Sequence, residues 1–198
     1  MIGGDIKREN DFHQALGEAL AAWQWVEGAA FAIYAAFMRG AKRQLVSVSF
    51  HHIQSFDSRI QLLDRCAYFI LPKGSVLSAK WVSLKKRLEG FTKQRNQIVH
   101  FAYIIEGGGS GGRVPTLAPS HMNATFAISD RYKNPDFRYD TYRLQKLGYD
   151  FERFSRDELS PFLDELKALL DKSPTPKRSA RKVSDRQRQN ISSRSKGR

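Results

Sequence analysis

Apolar residues recur at gaps of three and four over three long stretches of the chain, which is the spacing of one face of a helix. The pattern predicts helices over about 10–38, 49–71 and 78–104. Gly40 and the segment Pro72-Lys73-Gly74 follow the first two stretches and are typical of helix ends. Three long helices in a chain of 198 residues predict a mainly α fold.

A fourth helix is predicted to end at Lys172, and its start stays open between two positions. Ser155 with Glu158 fits a capping box. Ser160 followed by Pro161 instead fits an N-cap with a proline in the first turn. With either start, the chain is expected to form a bundle of four main helices.

The stretch between the third and fourth predicted helices lacks a helical pattern. Residues 106–112 read EGGGSGG, a composition that favours a flexible loop. Strand-like residues stand on either side, at 101–105 and 124–128, and they predict a short hairpin or an irregular excursion. Residues 130–150 mix aromatic and charged side chains without a clear period, so we expect an ordered but irregular segment there.

Positive charge is concentrated at the C-terminus. The formal net charge is +13, and residues 172–198 hold ten lysines and arginines against one acid, which accounts for +9 of it. Residues 173–198 also contain two prolines, many serines and almost no apolar residues. We therefore predict a helical domain over 1–172 and a disordered basic tail over 173–198. Hydrophobic residues make up 41 % of the chain, which is typical of a folded globular domain.

Cysteine usage and hydropathy bound the class of protein. Cys66 is the single cysteine, which excludes an internal disulfide and a cysteine-rich zinc site. Residues 19–38 are largely apolar, but Gln24 and Glu27 lie near their middle, and a carboxylate there is costly in lipid. The N-terminus lacks the apolar stretch of a signal peptide. We therefore expect a cytoplasmic protein without a membrane span.

One position breaks the apolar pattern of the third predicted helix. The step that follows Phe91 by four residues lands on Arg95, in the stretch QRNQIVHF, before the pattern resumes at Ile98. At about 100° per residue, Arg95 and His100 lie roughly 140° apart around the helix. Asn96, His100 and Tyr103 instead share one helical face. A structural interpretation pairs Arg95 with an acid such as Glu27 or Asp64 and satisfies His100 with a backbone carbonyl.

The segment from Arg95 to His100 resembles the R-x4-6-H signature of the HEPN superfamily (higher eukaryotes and prokaryotes nucleotide-binding domains). A polar residue often follows the arginine in that signature, as Asn96 does here. The resemblance covers about residues 8–172 and implies an all-helical bundle with the motif on a late helix. The glycine-rich loop and residues 130–150 are additions to a minimal HEPN bundle.

Many HEPN proteins are metal-independent ribonucleases of toxin–antitoxin and defence systems. The resemblance therefore implies an endoribonuclease that needs no cofactor, uses RNA as substrate, and has an antitoxin or defence protein as a possible partner. His100 would be the acid and base, Arg95 the phosphate clamp and Asn96 an orienting group. Two copies of the motif normally meet across a homodimer. The alternative is a non-catalytic HEPN-like module that binds nucleic acid or an acidic partner through its basic tail.

A second candidate RNA surface lies between residues 131 and 143, where aromatic and basic side chains interleave. Such a mixture can stack on and grip single-stranded RNA. The alternative is a solvated insertion packed on the bundle. The residues concerned are Arg131, Tyr132, Lys133, Phe137, Arg138, Tyr139, Tyr142 and Arg143.

Overall fold

The computed structural model describes residues 2–107, 112–119 and 138–172. These form a mainly α fold, as the apolar pattern predicts. A π-helical turn at Ser155–Leu159 joins the last two helices. The elements in chain order are α1 (Ile2–Phe37), α2 (Arg43–His51), α3 (Phe56–Ile70), α4 (Val76–His100), β1 (Ala102–Glu106), β2 (Val114–Ala118), α5 (Thr141–Phe154) and α6 (Ser160–Lys172).

Three long helical segments run side by side and enclose the core: α1, α4, and α5 continued by α6. Helices α5 and α6 run parallel to α1, because Ser155 donates to the carbonyl of Trp25 near the middle while Asp171 pairs with Arg39 near the end. Helix α4 runs antiparallel to α1 and to the segment formed by α5 and α6. The side chains with almost no solvent exposure come from all three segments and from α2 and α3; the large ones include Trp23, Phe12, Phe50, Phe151, Phe154, Phe162, Leu63 and Leu88.

The single helix predicted over 49–71 is wrong, because the structure divides this region into α2 and α3. The break lies at residues 52–55. Ser55 has an extended backbone and its hydroxyl accepts a hydrogen bond from the amide of Ser58, so it starts α3 as an N-cap. Arg59 stabilises the break from inside α3 by donating to the carbonyl of Ile53 at 2.9 Å. The predicted end before Pro72 is confirmed.

The third predicted helix is confirmed up to His100 but ends four residues earlier than expected. Residues 102–106 form strand β1, so the strand-like character of 101–105 outweighs the helical spacing. Strand β1 pairs antiparallel with β2, from Ala102 opposite Ala118 to Glu106 opposite Val114. The expected partner strand at 124–128 lies outside the described residues, and β2 was not predicted.

The irregular segment expected up to residue 150 is wrong from Thr141 onward, because α5 occupies that region. Asp140 starts α5 by accepting a hydrogen bond from the amide of Arg143 at 2.8 Å. Helix α6 begins at Ser160, but neither Ser155 nor Ser160 acts as an N-cap, since the backbone is helical at both. Ser160 instead donates its hydroxyl to the carbonyl of Ser155 at 3.0 Å.

Within the described ranges, no helix combines the length and the apolar character that crossing a bilayer demands. The predicted tail over 173–198 lies outside those ranges, as do residues 131–137 of the aromatic and basic stretch.

Candidate active site

Arg95 lies on the inward side of α4, at a position where the spacing of apolar residues predicts a hydrophobic side chain. The buried positions of this helix include Leu84, Leu88, Thr92 and Ile98. Thr92 is buried without an apolar side chain because its hydroxyl donates to the carbonyl of Leu88 at 2.7 Å. Arg95 lies one turn further along and is partly buried. The core face of α4 is therefore interrupted by polar side chains at Thr92 and Arg95 before it resumes at Ile98.

The guanidinium of Arg95 is only partly satisfied. Its Nη1 donates to Oδ1 of Asn96 at 3.2 Å. Its Nε is shielded from solvent and has no hydrogen-bond partner within the described part of the chain. A buried donor without a partner costs about 1–3 kcal/mol. The arrangement leaves donor capacity on a permanent cation that an incoming anion can use.

Glu27 and Asp64, the two acids named as candidate structural partners of Arg95, pair with other side chains, and no acid in the described part of the chain pairs with Arg95. Glu27 accepts from Nε1 of Trp23 at 2.7 Å and lies 3.5 Å from Arg59. Asp64 accepts from Nε1 of Trp81 at 3.0 Å and from Nζ of Lys85 at 2.7 Å.

These contacts determine the ionisation of Asp64. Partial burial alone would raise its pKa, but the hydrogen bonds from Lys85 and Trp81, together with the positive charges nearby, outweigh that effect. The pKa of Asp64 is consequently below its ordinary value. The carboxylate is therefore charged at neutral pH and holds α3 against α4.

His100 is the last residue of α4 and is exposed. The backbone amide of Phe101 donates to the carbonyl of Gln97 at 2.9 Å and closes the helix after it. Within the described residues the imidazole of His100 makes no hydrogen bond, so the carbonyl partner expected for a structural histidine is not found there. Asn96 lies one turn before His100 and is partly buried. The exposed imidazole of His100 therefore has no described partner that would occupy its nitrogens.

Tyr103 does not share a helical face with Asn96 and His100, which corrects the sequence prediction. It lies in β1, where the chain has already left the helix. Its hydroxyl donates to Oε1 of Glu9 at 2.7 Å, and its ring centroid lies 5.3 Å from that of His13. Tyr103 therefore fastens the hairpin to α1 and has no place in the candidate site.

Sequence reasoning missed the contact that holds the motif in place. The hydroxyl of Tyr139 donates to Oε1 of Gln97 at 2.7 Å, and Gln97 lies within the motif between Asn96 and His100. Tyr139 also forms two backbone hydrogen bonds with Leu117 of β2, at 2.9 and 3.0 Å. Burial raises the pKa of Tyr139 to about 12, so its hydroxyl stays protonated and donates at physiological pH. No local sequence signal pairs residues 97 and 139.

The described part of the aromatic and basic stretch is used mainly inside the fold. Arg138 pairs with Glu106 at 2.8 Å, and Arg143 donates to the backbone carbonyl of Arg138. Tyr139 is buried, as described above. Tyr142 alone of these four side chains is largely exposed, at 72 %. These residues favour the interpretation of an insertion packed on the bundle.

The last turns of α4 carry two chemically distinct groups, a guanidinium and an imidazole. A partly buried guanidinium with an unused donor suits a phosphate or carboxylate, and an exposed imidazole can donate or accept a proton. No group of three histidine, cysteine or acidic side chains in the described ranges is placed to hold a metal ion. Arg95 and His100 are five residues apart and point to different sides of one helix.

No protein-family model, no curated protein and no solved structure matches this chain. The resemblance to the HEPN superfamily therefore depends on the short motif and on the helical architecture.

Proposed function

We propose that this protein is a HEPN-type endoribonuclease that cleaves RNA by attack of a ribose 2′-hydroxyl. The observation that supports the proposal is the state of Arg95: a partly buried guanidinium that has no acidic partner among the described residues and keeps a buried donor unused. An arginine retained at such a position lowers stability unless an anion uses it. The phosphodiester of RNA is an anion of the required geometry.

The roles follow from the side chains. His100 accepts the proton of the 2′-hydroxyl, whose oxygen attacks the adjacent phosphorus. The bond from phosphorus to the 5′-oxygen breaks, and that oxygen takes up the proton held by His100, which restores the neutral imidazole. Arg95 stabilises the negative charge that develops on the non-bridging oxygens, and Asn96 orients the guanidinium through its 3.2 Å contact. The products are a 2′,3′-cyclic phosphate and a 5′-hydroxyl.

One helix alone does not bring Arg95 and His100 to the same point, since they lie roughly 140° apart around its axis. A symmetric homodimer in which the ends of two α4 helices meet would combine the guanidinium of one copy with the imidazole of the other. Homodimerisation is therefore part of the proposal. Sedimentation at micromolar concentration should give a dimer, and a protein that stays monomeric would contradict the shared cleft.

The experiment is a cleavage assay on mixed-sequence single-stranded RNA in the presence of a chelator. Wild type should cleave, whereas His100→Ala should lose at least about a hundredfold in rate, because general acid–base catalysis contributes about 10²–10⁴. His52→Ala is the matched control, since His52 is also exposed and follows the end of a helix. Equal losses in both histidine variants, or an inactive wild type, would remove the ribonuclease proposal.

A non-catalytic module that binds nucleic acid is the second candidate, and the charge of the tail favours it. Residues 172–198 carry +9 of the total +13. If the tail supplies the binding, its deletion from residue 173 should weaken RNA binding and flatten its dependence on salt, because each phosphate contact releases counterions. RNA binding that survives in His100→Ala and disappears with the tail, without cleavage by wild type, would favour this candidate.

A further inference from the structure

A recess of about 570 Å³ lies at the other end of the bundle from Arg95, where the last turns of α1 meet α2 and α6. Three alanines of α1, Ala32, Ala35 and Ala36, line it together with larger apolar side chains. The small side chains leave the helices incompletely packed along this edge, which is how the recess arises. The apolar residues on its wall include Phe31, Ala32, Ala35, Val46, Leu163 and Leu170.

The apolar surface of the recess is withdrawn from solvent. Val46 is buried, and Phe31, Leu163 and Leu170 are each partly buried. Of the large apolar residues on the wall, Met38 alone is exposed, at 37 %. A partner helix docks on side chains that project from a surface, whereas a narrow apolar chain inserts between walls. The recess therefore fits an inserted chain.

Positive charge surrounds the opening. Arg39, Arg43 and Lys167 line it together with a single acid, Asp171. Arg39 uses that acid in a 2.9 Å ion pair, and Lys167 lies 3.8 Å from Asp164. Arg43 is exposed and forms no ion pair or side-chain hydrogen bond with any residue that the structure describes. Among the described residues, the opening therefore offers one guanidinium without a partner beside an apolar interior.

We propose that this recess binds a straight-chain aliphatic carboxylate, with its chain inside and its head on Arg43. Both halves of the ligand follow from the site: burial of methylene groups supplies affinity, and the cationic opening selects the anionic head. The α1 wall from Phe31 to Met38 is about 10 Å long at 1.5 Å per residue, which suits a chain of about eight carbons. The volume is within the usual range of about 300–1,000 Å³ for small-molecule sites.

The test measures binding of octanoate to the full chain by titration calorimetry, with butanoate and octanamide as matched probes. Octanoate should bind at a single site. Butanoate should bind about tenfold to a hundredfold more weakly because it buries fewer methylene groups, and octanamide about tenfold more weakly because it lacks the charge. Arg43→Ala should weaken octanoate about tenfold and leave octanamide unchanged.

Two variants separate the recess from the rest of the surface. Ala35→Leu fills the interior and should abolish binding of octanoate, with circular dichroism and thermal unfolding used to establish that the variant is folded. Lys86→Ala removes an exposed charge of α4 that does not line the recess, and it should bind like wild type. No saturable binding, equal binding of octanoate and octanamide, or full binding by Ala35→Leu would each overturn the proposal. Binding of an acidic amphipathic peptide but not of octanoate would also overturn it.

Discussion

Replacing Arg95 by methionine separates a functional arginine from a structural one. Methionine keeps an unbranched chain of similar reach and removes the charged head, so the apolar face of α4 continues from Leu88 to Ile98 without interruption. If Arg95 is kept for binding an anion, its removal should stabilise the fold and abolish cleavage. If it is kept for structure, its removal should destabilise the fold.

The magnitude follows from the contacts of the guanidinium. Removing the unpartnered Nε relieves a desolvation cost of about 1–3 kcal/mol. The lost hydrogen bond to Asn96, at 3.2 Å, contributes about 1 kcal/mol in the opposite direction. The free energy of unfolding should therefore rise by about 1 kcal/mol. For a domain of this size the melting temperature should rise by about 2–4 °C.

The assay is urea unfolding followed by circular dichroism, combined with the RNA cleavage assay on the same preparations. Lys93→Met is the matched control, because Lys93 is an exposed residue of the same helix and its loss should change stability by no more than about 0.5 kcal/mol. A loss of 3 kcal/mol or more in Arg95→Met would refute the reasoning, since that is the effect of breaking a buried charge pair.

Three further predictions test the fold around the site. Gly148→Ala should destabilise the protein by about 1–2 kcal/mol, because the new Cβ would lie 3.2 Å from the Cα of Ala19. The Cβ of Gly17→Ala meets no atom within 4 Å, so this control should stabilise the protein by about 0.5–1 kcal/mol, and thermal unfolding compares the two variants. Tyr139→Phe should cost about 1 kcal/mol in urea unfolding and lower the cleavage rate, because the motif loses the hydrogen bond between Gln97 and Tyr139; unchanged values in both assays would contradict that role. Asp64→Asn should destabilise the protein at neutral pH but not well below pH 4. A carboxylate whose pKa is lowered in the folded state stabilises the fold above its unfolded pKa and loses this effect as it protonates. A difference in stability between wild type and Asp64→Asn that persists at pH 2 would exclude the electrostatic cause.

Helix faces were predictable from the sequence, and the caps that divide the helices were not. The spacing of apolar residues identifies α1 and α4, because burial on one face dominates both. It also joins α2 to α3, because Phe50, Ile53 and Phe56 follow one another at gaps of three, which a helical pattern allows. The hydroxyl of Ser55 decides that case locally. In α5 the buried residues Leu144, Leu147, Phe151 and Phe154 follow gaps of three and four, a helical signal that the sequence prediction overlooked, and Asp140 caps its start.

The candidate site was predictable as far as local spacing reaches. Arg95 interrupts an apolar face, and that irregularity is visible in the sequence. Glu27 and Asp64 do not pair with Arg95, because they contact other residues 17 to 32 positions away along the chain. Asp64 contacts Trp81 and Lys85, and Glu27 contacts Arg59. The hydrogen bond from Tyr139 to Gln97 joins residues that are 42 positions apart in the sequence. Such contacts depend on how the hairpin and α5 return to α4, which no short motif encodes.

The central claim is that the 2′-hydroxyl of RNA is the nucleophile, served by His100 and Arg95. The most direct measurement uses an RNA oligonucleotide with one mapped cleavage position and a second oligonucleotide that differs by a single 2′-deoxy substitution there. The proposal predicts that mass spectrometry will find a 2′,3′-cyclic phosphate on the upstream fragment and a 5′-hydroxyl on the downstream fragment, and that the substituted oligonucleotide will stay intact at that position. Cleavage of the deoxy-substituted position at the wild-type rate, or a 5′-phosphate on the downstream fragment, would contradict it.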